Sequence, residues 1–426
     1  MNQLGADVDA LDALTRTFDH ESHKLIASMN AINATLHSTW WAGVNATRFE
    51  GDWRRQHATS VRSVAQLLTG AAHTLRTQSQ QQRTVSSDSV PFTLVFEFAL
   101  VTMGLFASLT PAEQLAFLRG MSADEQRKLL DTDAARIATL DGAPVWLRDE
   151  ANRHLMRDEI ARSRAELASL QRGLFVDTTT TLRALTLQHH ISVLDKAVNN
   201  HEYQILKFDP QGDGRLIAVF GNLEHAKHVA ILVPGVSNSA MDSLSGHGVL
   251  NDARTLSGRV GSDTAVVAWL DYDAPDNALV GGTTAPADAG APALRSFVTS
   301  VRGYGATDVT VIAHSYGSVL AGHAATSGRL DVDHLIIVGS PGTGADHASD
   351  FNLHPGADVW VGHKRGDKVE GIGNFGPIDV LGPDPSHSEF GAQTLRTSGG
   401  GSIFGSNHNY YEGASLDHMV QIVGPR

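Results

Sequence analysis

The sequence predicts an α/β protein with a mainly parallel sheet, preceded by an all-α region. Residues 1–200 hold only 3 of the 14 prolines and 8 of the 41 glycines, which favours helices there. After them, short β-branched runs alternate with helical patterns, and this alternation is typical of a parallel sheet. We therefore expect a helical hairpin at 1–90, a helical linker or cap region at 91–200 and a sheet domain at 201–426.

The N-terminal region repeats apolar residues at helical spacing. They recur every three or four positions from residue 8 to 36 and again from 61 to 75. The turn-like break Trp40-Trp41-Ala42-Gly43 separates the two runs. This pattern predicts an antiparallel helical hairpin with an apolar seam, a candidate for a helical partner or for self-association.

The segment 92–109 is almost wholly apolar and about long enough to cross a membrane. It contains Glu97 and has no closely flanking basic residue, so we expect a buried helix and no transmembrane segment. Beyond it, Thr110-Pro-Ala-Glu and Ser122-Ala-Asp-Glu are capping boxes that predict two helix starts. Residues 145–199 are again free of proline, which favours further helix.

The sheet is predicted to open with a hairpin, because two apolar runs flank the turn Pro210-Gln-Gly-Asp-Gly. Five further strands are predicted, at 229–233, 265–272, 309–313, 335–339 and 359–362. The Gly-, Pro- and Ser-rich stretch 370–406 is long for a connection, so we expect a lid over a site.

One strand delivers a serine into a tight turn. Residues 308–317 read Asp-Val-Thr-Val-Ile-Ala-His-Ser-Tyr-Gly, and a helical pattern follows. On a sharp strand-to-helix turn the residues two before and two after the serine must be small, and here they are Ala313 and Gly317. The helix would aim its N–H groups at an oxyanion. Ser315 is thus a predicted nucleophile, and a serine that merely caps the helix is the alternative.

Two later residues could complete a catalytic triad with this serine. Asp367 follows the predicted strand at 359–362, and His408 lies in a later loop. Serine, acid and histidine in this order are expected of an α/β-hydrolase. His408 would take the serine proton, and Asp367 would orient the imidazole. Asp346 and Asp350 follow the preceding strand and are alternatives for the acid.

An oxyanion hole needs a second donor after an early strand. The strand at 229–233 runs into Pro234-Gly235, and the glycine lets the backbone turn so that the Val236 N–H can point inward beside that of Tyr316. An ordinary strand-end turn is the alternative. Such chemistry needs no metal or cofactor, and the absence of cysteine excludes thiol catalysis and Cys-based zinc sites.

The net charge and the predicted catalytic chemistry together limit the classes of partner and substrate that we expect. A net charge of −13 without a basic run disfavours nucleic acid. The first residues lack the basic and apolar parts of a cleavable signal peptide. We therefore expect a serine esterase or lipase-like enzyme that cleaves a small-molecule or lipid ester through an acyl-enzyme.

From about residue 141 onward the sequence resembles an actinobacterial α/β-hydrolase family of uncharacterised function whose members carry a His-Ser-Tyr-Gly-Ser motif. The matching segments are Leu140-Asp-Gly-Ala-Pro, Arg148-Asp-Glu-Ala-Asn-Arg, Val233-Pro-Gly, Val267-Ala-Trp-Leu-Asp-Tyr-Asp-Ala-Pro, His314-Ser-Tyr-Gly-Ser, Gly339-Ser-Pro-Gly, and His408 with Tyr411 and Gly413. The resemblance implies an α/β-hydrolase fold with the three predicted catalytic residues in the triad positions. Ala313 stands where a glycine is usual, and Asp271 interrupts a Trp-Leu-Gly-Tyr pattern.

The N-terminal hairpin is similar to the WXG-type helical hairpins exported by type VII secretion systems. The similarity rests on Trp41-Ala-Gly43 in the turn, followed by Phe49 and Trp53, while residues 84–88 have the spacing of the usual export tail without its tyrosine. The resemblance implies secretion or envelope localisation by the type VII route, with a cytoplasmic location as the alternative. It also implies an alternative function, an interaction or effector protein that uses a hydrolase fold as a scaffold.

Overall fold

The computed structural model describes residues 8–38, scattered positions between 53 and 76, and residues 110–172, 177–275, 283–367, 369, 381–397 and 408–424. The chain forms two compact units, Met1–Leu109 and Thr110–Arg426. The helices between 110 and 200, which the sequence separates as a linker or cap region, thus belong to the same unit as the sheet.

The first unit is helical in its described residues. Helix α1 spans Val8–Ser38, as the apolar spacing predicts, and most described positions from 58 to 76 are also helical. Arg76 forms an ion pair with Asp19, and the Trp53 indole N–H donates to Asn33 Oδ1 at 2.8 Å. The two stretches therefore run in opposite directions.

The predicted Trp-Ala-Gly turn and the apolar segment 92–109 lie outside the described residues. Within the part of the chain that the structure describes, no helix has both the length and the apolar character needed to span a bilayer.

In the described residues of the second unit, four helices precede the sheet: α2 (Pro111–Gly120), α3 (Ala123–Ile137), α4 (Val145–Arg172) and α5 (Thr178–Val198). Both predicted capping boxes are present. The Thr110 hydroxyl accepts from the Glu113 N–H while the Glu113 carboxylate accepts from the Thr110 N–H, and Ser122 and Glu125 do the same. These reciprocal bonds satisfy amides at each helix start, which fixes where α2 and α3 begin.

The sheet has eight strands in the order β1-β2-β4-β3-β5-β6-β7-β8. Their bounds are β1 Gln204–Asp209, β2 Arg215–Phe220, β3 His228–Val233, β4 Thr264–Leu270, β5 Asp308–His314, β6 His334–Val338, β7 Asp358–Gly362 and β8 Gln393–Thr394. β2 pairs antiparallel with β1 and β4, and all other pairs are parallel. The predicted hairpin and five later strands are confirmed.

Five helices accompany the strands in the ranges that the structure describes: α6 (Ala240–Leu244), α7 (Gly248–Ser257), α8 (Ala285–Tyr304), α9 (Tyr316–Thr326) and α10 (Gly413–Val423). β4 is buried at every position, and β3, β5 and β6 are buried along almost their whole length, as expected for parallel strands covered on both faces. The carboxyl ends of β3, β5, β6 and β7 meet at one edge, which is where open α/β sheets present their chemistry.

Strand β8 lies inside the stretch 370–406 for which the sequence predicts a lid. Residues 381–397 contribute this strand to the sheet edge, and Leu381, Phe390 and Leu395 are buried. The sequence did not reveal β8 because the strand has only two residues, both with exposed side chains. The flanking residues 370–380 and 398–407 lie outside the described chain.

Helix α4 covers the outer side of β1. Asp149 Oδ1 accepts from the Ile205 N–H at 2.7 Å, and Asn152 Oδ1 accepts from the Phe208 N–H at 2.8 Å. Two amides of β1 are thus paired by side chains, on the side where no other described strand lies. The segment Arg148-Asp-Glu-Ala-Asn-Arg, which carries part of the family resemblance, therefore has a structural role in pairing the edge of β1.

Arg153, the last residue of that segment, binds the chain that joins α5 to β1. Its side chain is 1% exposed and donates to Asp149 and to four carbonyl oxygens, those of Ala197, Val198, Asn200 and Tyr203. Because both the charge and the carbonyls are removed from water, each depends on the other for compensation.

Replacing Arg153 by methionine keeps the aliphatic stem and removes every donor. We expect a loss of about 3–5 kcal/mol in the free energy of unfolding, because Asp149 and the buried carbonyls lose their partner. Arg157→Met, one turn later on α4, is the matched control, since Arg157 is half exposed and, among the described residues, pairs only with Glu150. Urea unfolding of both variants measures the difference, and equal stabilities would contradict the role assigned to Arg153.

A second acidic group, that of the partly buried Asp252, has no compensating partner among the described residues. Asp252 on α7 makes no hydrogen bond or ion pair with any other described residue, and burial raises the pKa of its carboxyl group to about 7. Between about pH 4 and pH 7 the folded protein holds a proton that the unfolded chain has already released. Stability should therefore fall as the pH rises through this window.

The Asp252→Asn substitution should remove this loss and stabilise the protein at pH 8 by at most about 4 kcal/mol. Unfolding free energies of the wild type and the variant, measured in urea at pH 5 and pH 8, test the expectation. Asp131→Asn, at an exposed position of α3, is the control and should leave the pH dependence unchanged. A wild-type slope in Asp252→Asn would show that another group is responsible.

Candidate active site

Ser315 occupies the turn between β5 and α9 with φ 55° and ψ −130°. This conformation costs of order 1–3 kcal/mol for a residue with a Cβ, and such strain concentrates at functional sites. The surrounding structure holds the turn, since the Ser315 N–H donates to the Val338 carbonyl of β6 at 2.9 Å. The serine is thus fixed at the carboxyl end of the sheet, and its side chain is not a helix cap.

Gly317 must be glycine, but not for the reason the sequence suggested. A Cβ there would lie 2.4 Å from the Val233 carbonyl oxygen and 2.7 Å from that of Pro234. Crowding by the end of β3, more than by Ala313, therefore imposes the small residue. It also shows that the serine turn and the loop after β3 are in direct contact.

His408 and Asp367 form a hydrogen-bonded pair. The imidazole Nδ1 lies 3.0 Å from Asp367 Oδ1 and 2.9 Å from Oδ2. Because a carboxylate only accepts, Nδ1 carries the hydrogen and leaves Nε2 as the basic nitrogen. Asp350, one alternative acid, instead accepts from the His347 N–H at its own turn. Of the acids considered, the structure joins Asp367 to the histidine.

Opposing effects act on the buried acid. Burial alone would raise the pKa of Asp367, but hydrogen bonds from His408, Val369 and Tyr410, together with the charge of His408, hold that pKa below its ordinary value. The carboxylate therefore stays ionised at neutral pH, and in that form it can orient and stabilise an imidazolium.

His314 links the serine turn to this pair. Its Nε2–H donates to the carbonyl oxygen of His408 at 2.9 Å, and the two rings lie 4.4 Å apart between centroids. Burial lowers the pKa of His314 to about 3, so the ring is neutral and can serve as this donor. The bond ties the residue before Ser315 to the histidine loop. Ser315 Oγ and the His408 imidazole make no hydrogen bond to each other, although the structure describes both residues.

The loop after β3 lies against the serine. A Cβ at Gly235 would stand 2.5 Å from Ser315 Cβ, 2.8 Å from its Oγ and 3.0 Å from the Tyr316 amide nitrogen. The N–H groups of Tyr316 and Val236 donate to none of the other described residues. Both amides predicted for an oxyanion hole thus belong to backbone that is close to the hydroxyl.

Two side chains hold this loop in place. The Asn238 amide donates to the carbonyl oxygens of Gly235 and Val236 at 3.2 and 3.1 Å, and the Tyr272 hydroxyl donates to Pro234 O at 2.6 Å. The sequence provided no signal for either role. Nor did it for His314, because the spacing of the serine motif constrains the small residues and not the one between them.

The Tyr316 side chain anchors another loop. Its hydroxyl donates to the Thr283 carbonyl, and burial raises the pKa of this phenol to about 12, so it remains a donor. Across the described residues, no group of three or more His, Asp or Glu side chains is arranged to hold a metal ion.

The strand order, the strained serine at the end of β5 and the acid and histidine that follow define an α/β-hydrolase fold. A family model described as alpha/beta hydrolase matches residues 209–377, a range that includes Ser315 and Asp367 and ends before His408. The chain belongs to the α/β-hydrolase family.

The curated proteins to which this chain is similar are uncharacterized mycobacterial proteins. Protein Rv2079 of Mycobacterium tuberculosis (strain H37Rv) is 28% identical over 343 residues, covering 68% of this chain and 51% of that protein. Rv0963c of the same strain is 30% identical over 179 residues, covering 38% of this chain and 67% of Rv0963c. The chain therefore spans about half the length of Rv2079.

Among solved structures, the crystal structure of esterase PE8 aligns with a TM-score of 0.31 at 15% identity, covering 48% of this chain and 94% of that one. The α/β hydrolase MGS-M1, from a deep-sea metagenome library, aligns with a TM-score of 0.24 at 13% identity, covering 40% of this chain and 72% of that one.

A methyl group at Gly235 would occupy the space beside the serine. We expect Gly235→Ala to lower any Ser315-dependent activity about a hundredfold or more and to destabilise the fold by about 1–3 kcal/mol, because the added atom forces the loop and the turn apart. Gly120→Ala is the control, since its Cβ meets nothing within 4 Å. Rates and unfolding free energies measure the two effects, and a fully active Gly235→Ala variant would contradict the close packing.

Proposed function

We propose that the protein is a serine hydrolase that cleaves carboxylic esters, including lipid or acyl esters, through an acyl-enzyme. The observation that carries this proposal is the His408–Asp367 pair, tied through His314 to a serine in a strained strand-to-helix turn. A serine hydroxyl is a poor nucleophile at neutral pH and needs such a base.

In the proposed reaction, Ser315 Oγ attacks the ester carbonyl carbon while His408 Nε2 takes the hydroxyl proton. The tetrahedral intermediate then expels the alcohol, which leaves with that proton, and an acyl-serine remains. Water, deprotonated by His408, attacks the acyl-enzyme and releases the carboxylic acid and the free serine. Asp367 orients the imidazole and stabilises its charged form throughout.

The oxyanion of each tetrahedral intermediate would be stabilised by the amides of Tyr316 and Val236. Support comes from the contact between Gly235 and the serine and from the positive end of α9, which begins at Tyr316. The missing bond between Ser315 and His408 is compatible with this reaction, because catalytic hydrogen bonds often tighten only when substrate is bound.

The reaction class does not define the acyl chain. Nor does it define the type of bond that is cleaved, since thioesters and amides use the same catalytic groups. Nothing in the proposed mechanism requires a metal or a cofactor. A series of p-nitrophenyl esters of increasing acyl length would define the preferred substrate, with a thioester and an anilide of the best acyl chain as comparisons.

Ser315→Ala removes the nucleophile and keeps the Cβ, so we expect ester hydrolysis to fall about a thousandfold or more with little change in stability. Ser315→Gly should be equally inactive, but more stable than Ser315→Ala by about 1–2 kcal/mol, because glycine relieves the positive φ. Hydrolysis rates and urea unfolding measure the two effects.

Labelling with a fluorophosphonate provides an independent check. The wild type and Ser245→Ala, which changes an exposed serine on the turn after α6, should both be labelled, and Ser315→Ala should not. Label retained in Ser315→Ala would place the nucleophile elsewhere. An unlabelled wild type would favour the scaffold function.

The N-terminal unit supports a second candidate function. Its antiparallel contacts favour the helical hairpin that the sequence predicts, and this hairpin is a candidate for type VII export or for binding a helical partner. The protein would then be an exported effector or interaction protein. Export places the full chain in the culture fluid of the producing cells, whereas a cytoplasmic protein stays in the lysate.

A further inference from the structure

The hydroxyl group of Tyr410 lies behind the His408–Asp367 pair. Tyr410 is fully buried, and its hydroxyl donates to Asp367 Oδ2 at 2.8 Å. The same hydroxyl oxygen accepts from the backbone N–H of Lys364 at 2.9 Å. Because that N–H can only donate, the hydroxyl must accept from it, and its own hydrogen is committed to the carboxylate.

Asp367 is 3% exposed, so each of its oxygens needs protein donors in place of water. Oδ1 accepts from the Val369 N–H at 3.1 Å and from the histidine, while Oδ2 accepts from Tyr410 and from the histidine. Without the phenol, Oδ2 would keep His408 as its one partner among the described residues, and the carboxylate could rotate about its Cβ–Cγ bond.

The segment that carries the histidine is held at successive residues. The His408 carbonyl accepts from His314, the Asn409 carbonyl accepts from the Lys364 ammonium group, and Tyr410 binds the acid. The Lys364 ammonium lies 5.2 Å from the centre of the Tyr410 ring and also pairs with Glu412 at 3.6 Å. Of the bonds that hold this segment, the one made by the Tyr410 hydroxyl is the bond to the Asp367 carboxylate itself.

We propose that Tyr410 is a positioning residue, whose hydroxyl holds the Asp367 carboxylate in the plane that orients the His408 imidazole. This inference rests on the proposed function, because it assigns a role within the same triad. Tyr410 does not touch the reacting atoms and acts through the acid.

The Tyr410→Phe variant tests the role. It keeps the ring and removes one oxygen atom, so the carboxylate loses a donor. Its negative charge then acts more strongly on the imidazole, while its plane is no longer fixed. The pKa of both Asp367 and His408 should rise. The acid limb of kcat/KM should therefore move to higher pH by about half to one unit, and kcat should fall about 10- to 100-fold with KM unchanged.

Tyr304→Phe is the matched control. Tyr304 is also buried, and its hydroxyl donates to the carbonyl oxygens of Ala143 and Asp141, at 2.6 and 3.2 Å. Both variants lose one buried hydroxyl and should lose similar thermal stability. A merely structural role for Tyr410 predicts that the two variants share the wild-type pH profile and kcat.

A readout without turnover separates this proposal from the proposed function. The titration of the His408 ring can be followed by NMR of ring-labelled histidine, with His408→Gln identifying its resonance among the 21 histidines. An upward shift in Tyr410→Phe, absent in Tyr304→Phe, supports the positioning role even if no ester is cleaved. An unchanged His408 titration together with a wild-type kcat would overturn it.

Discussion

Three glycines permit the close approach of loops on which the site depends. Gly235 after β3 lets its loop touch the serine, and Gly317 lets the serine turn lie against the carbonyls at the end of β3. Gly339, which follows β6 with φ 56°, would place a Cβ 2.8 Å from both His408 Cε1 and Tyr410 Cε2. A side chain at any of these positions would separate elements that meet in the native fold. The absence of side chains at these glycines thus allows the loops that carry Ser315, the predicted oxyanion amides and His408 to approach one another.

Around this point of contact, hydrogen bonds from polar side chains hold loops that regular secondary structure does not hold. His314, Asn238 and Tyr272 each donate to a backbone carbonyl of a loop at the strand ends. Each bond fixes a loop whose own backbone has no ladder partner, so the strain at Ser315 can be maintained. The geometry of the site is therefore a property of several loops, supported by a sheet whose central strands are fully buried.

The sequence predicted those parts of the molecule that repeat a local rule. Both capping boxes, the opening hairpin and the parallel strands follow from spacing and burial within short windows. The position of Ser315 between β5 and α9 also follows from local sequence, and the pairing of Asp367 with His408 was expected from chain order.

What the sequence could not give depends on contacts between distant segments. His314 and Tyr410 acquire their roles only through partners 94 and 43 residues away, which no local pattern encodes. Asp271, which departs from the family pattern, forms an ion pair with Lys207 of β1 at 2.7 Å, and its sequence context does not reveal this partner. Strand β8 has too few residues to produce a periodic signal.

The two margins of the sheet limit how this molecule can associate. On one side α4 binds the outward amides of β1 through Asp149 and Asn152, and on the other β8 offers only two residues. In the part of the chain that the structure describes, neither margin presents a long row of open donors and acceptors to which another chain could add a strand. Within the described residues, both ends of the sheet therefore offer little free backbone for intermolecular β-pairing, a common route to aggregation.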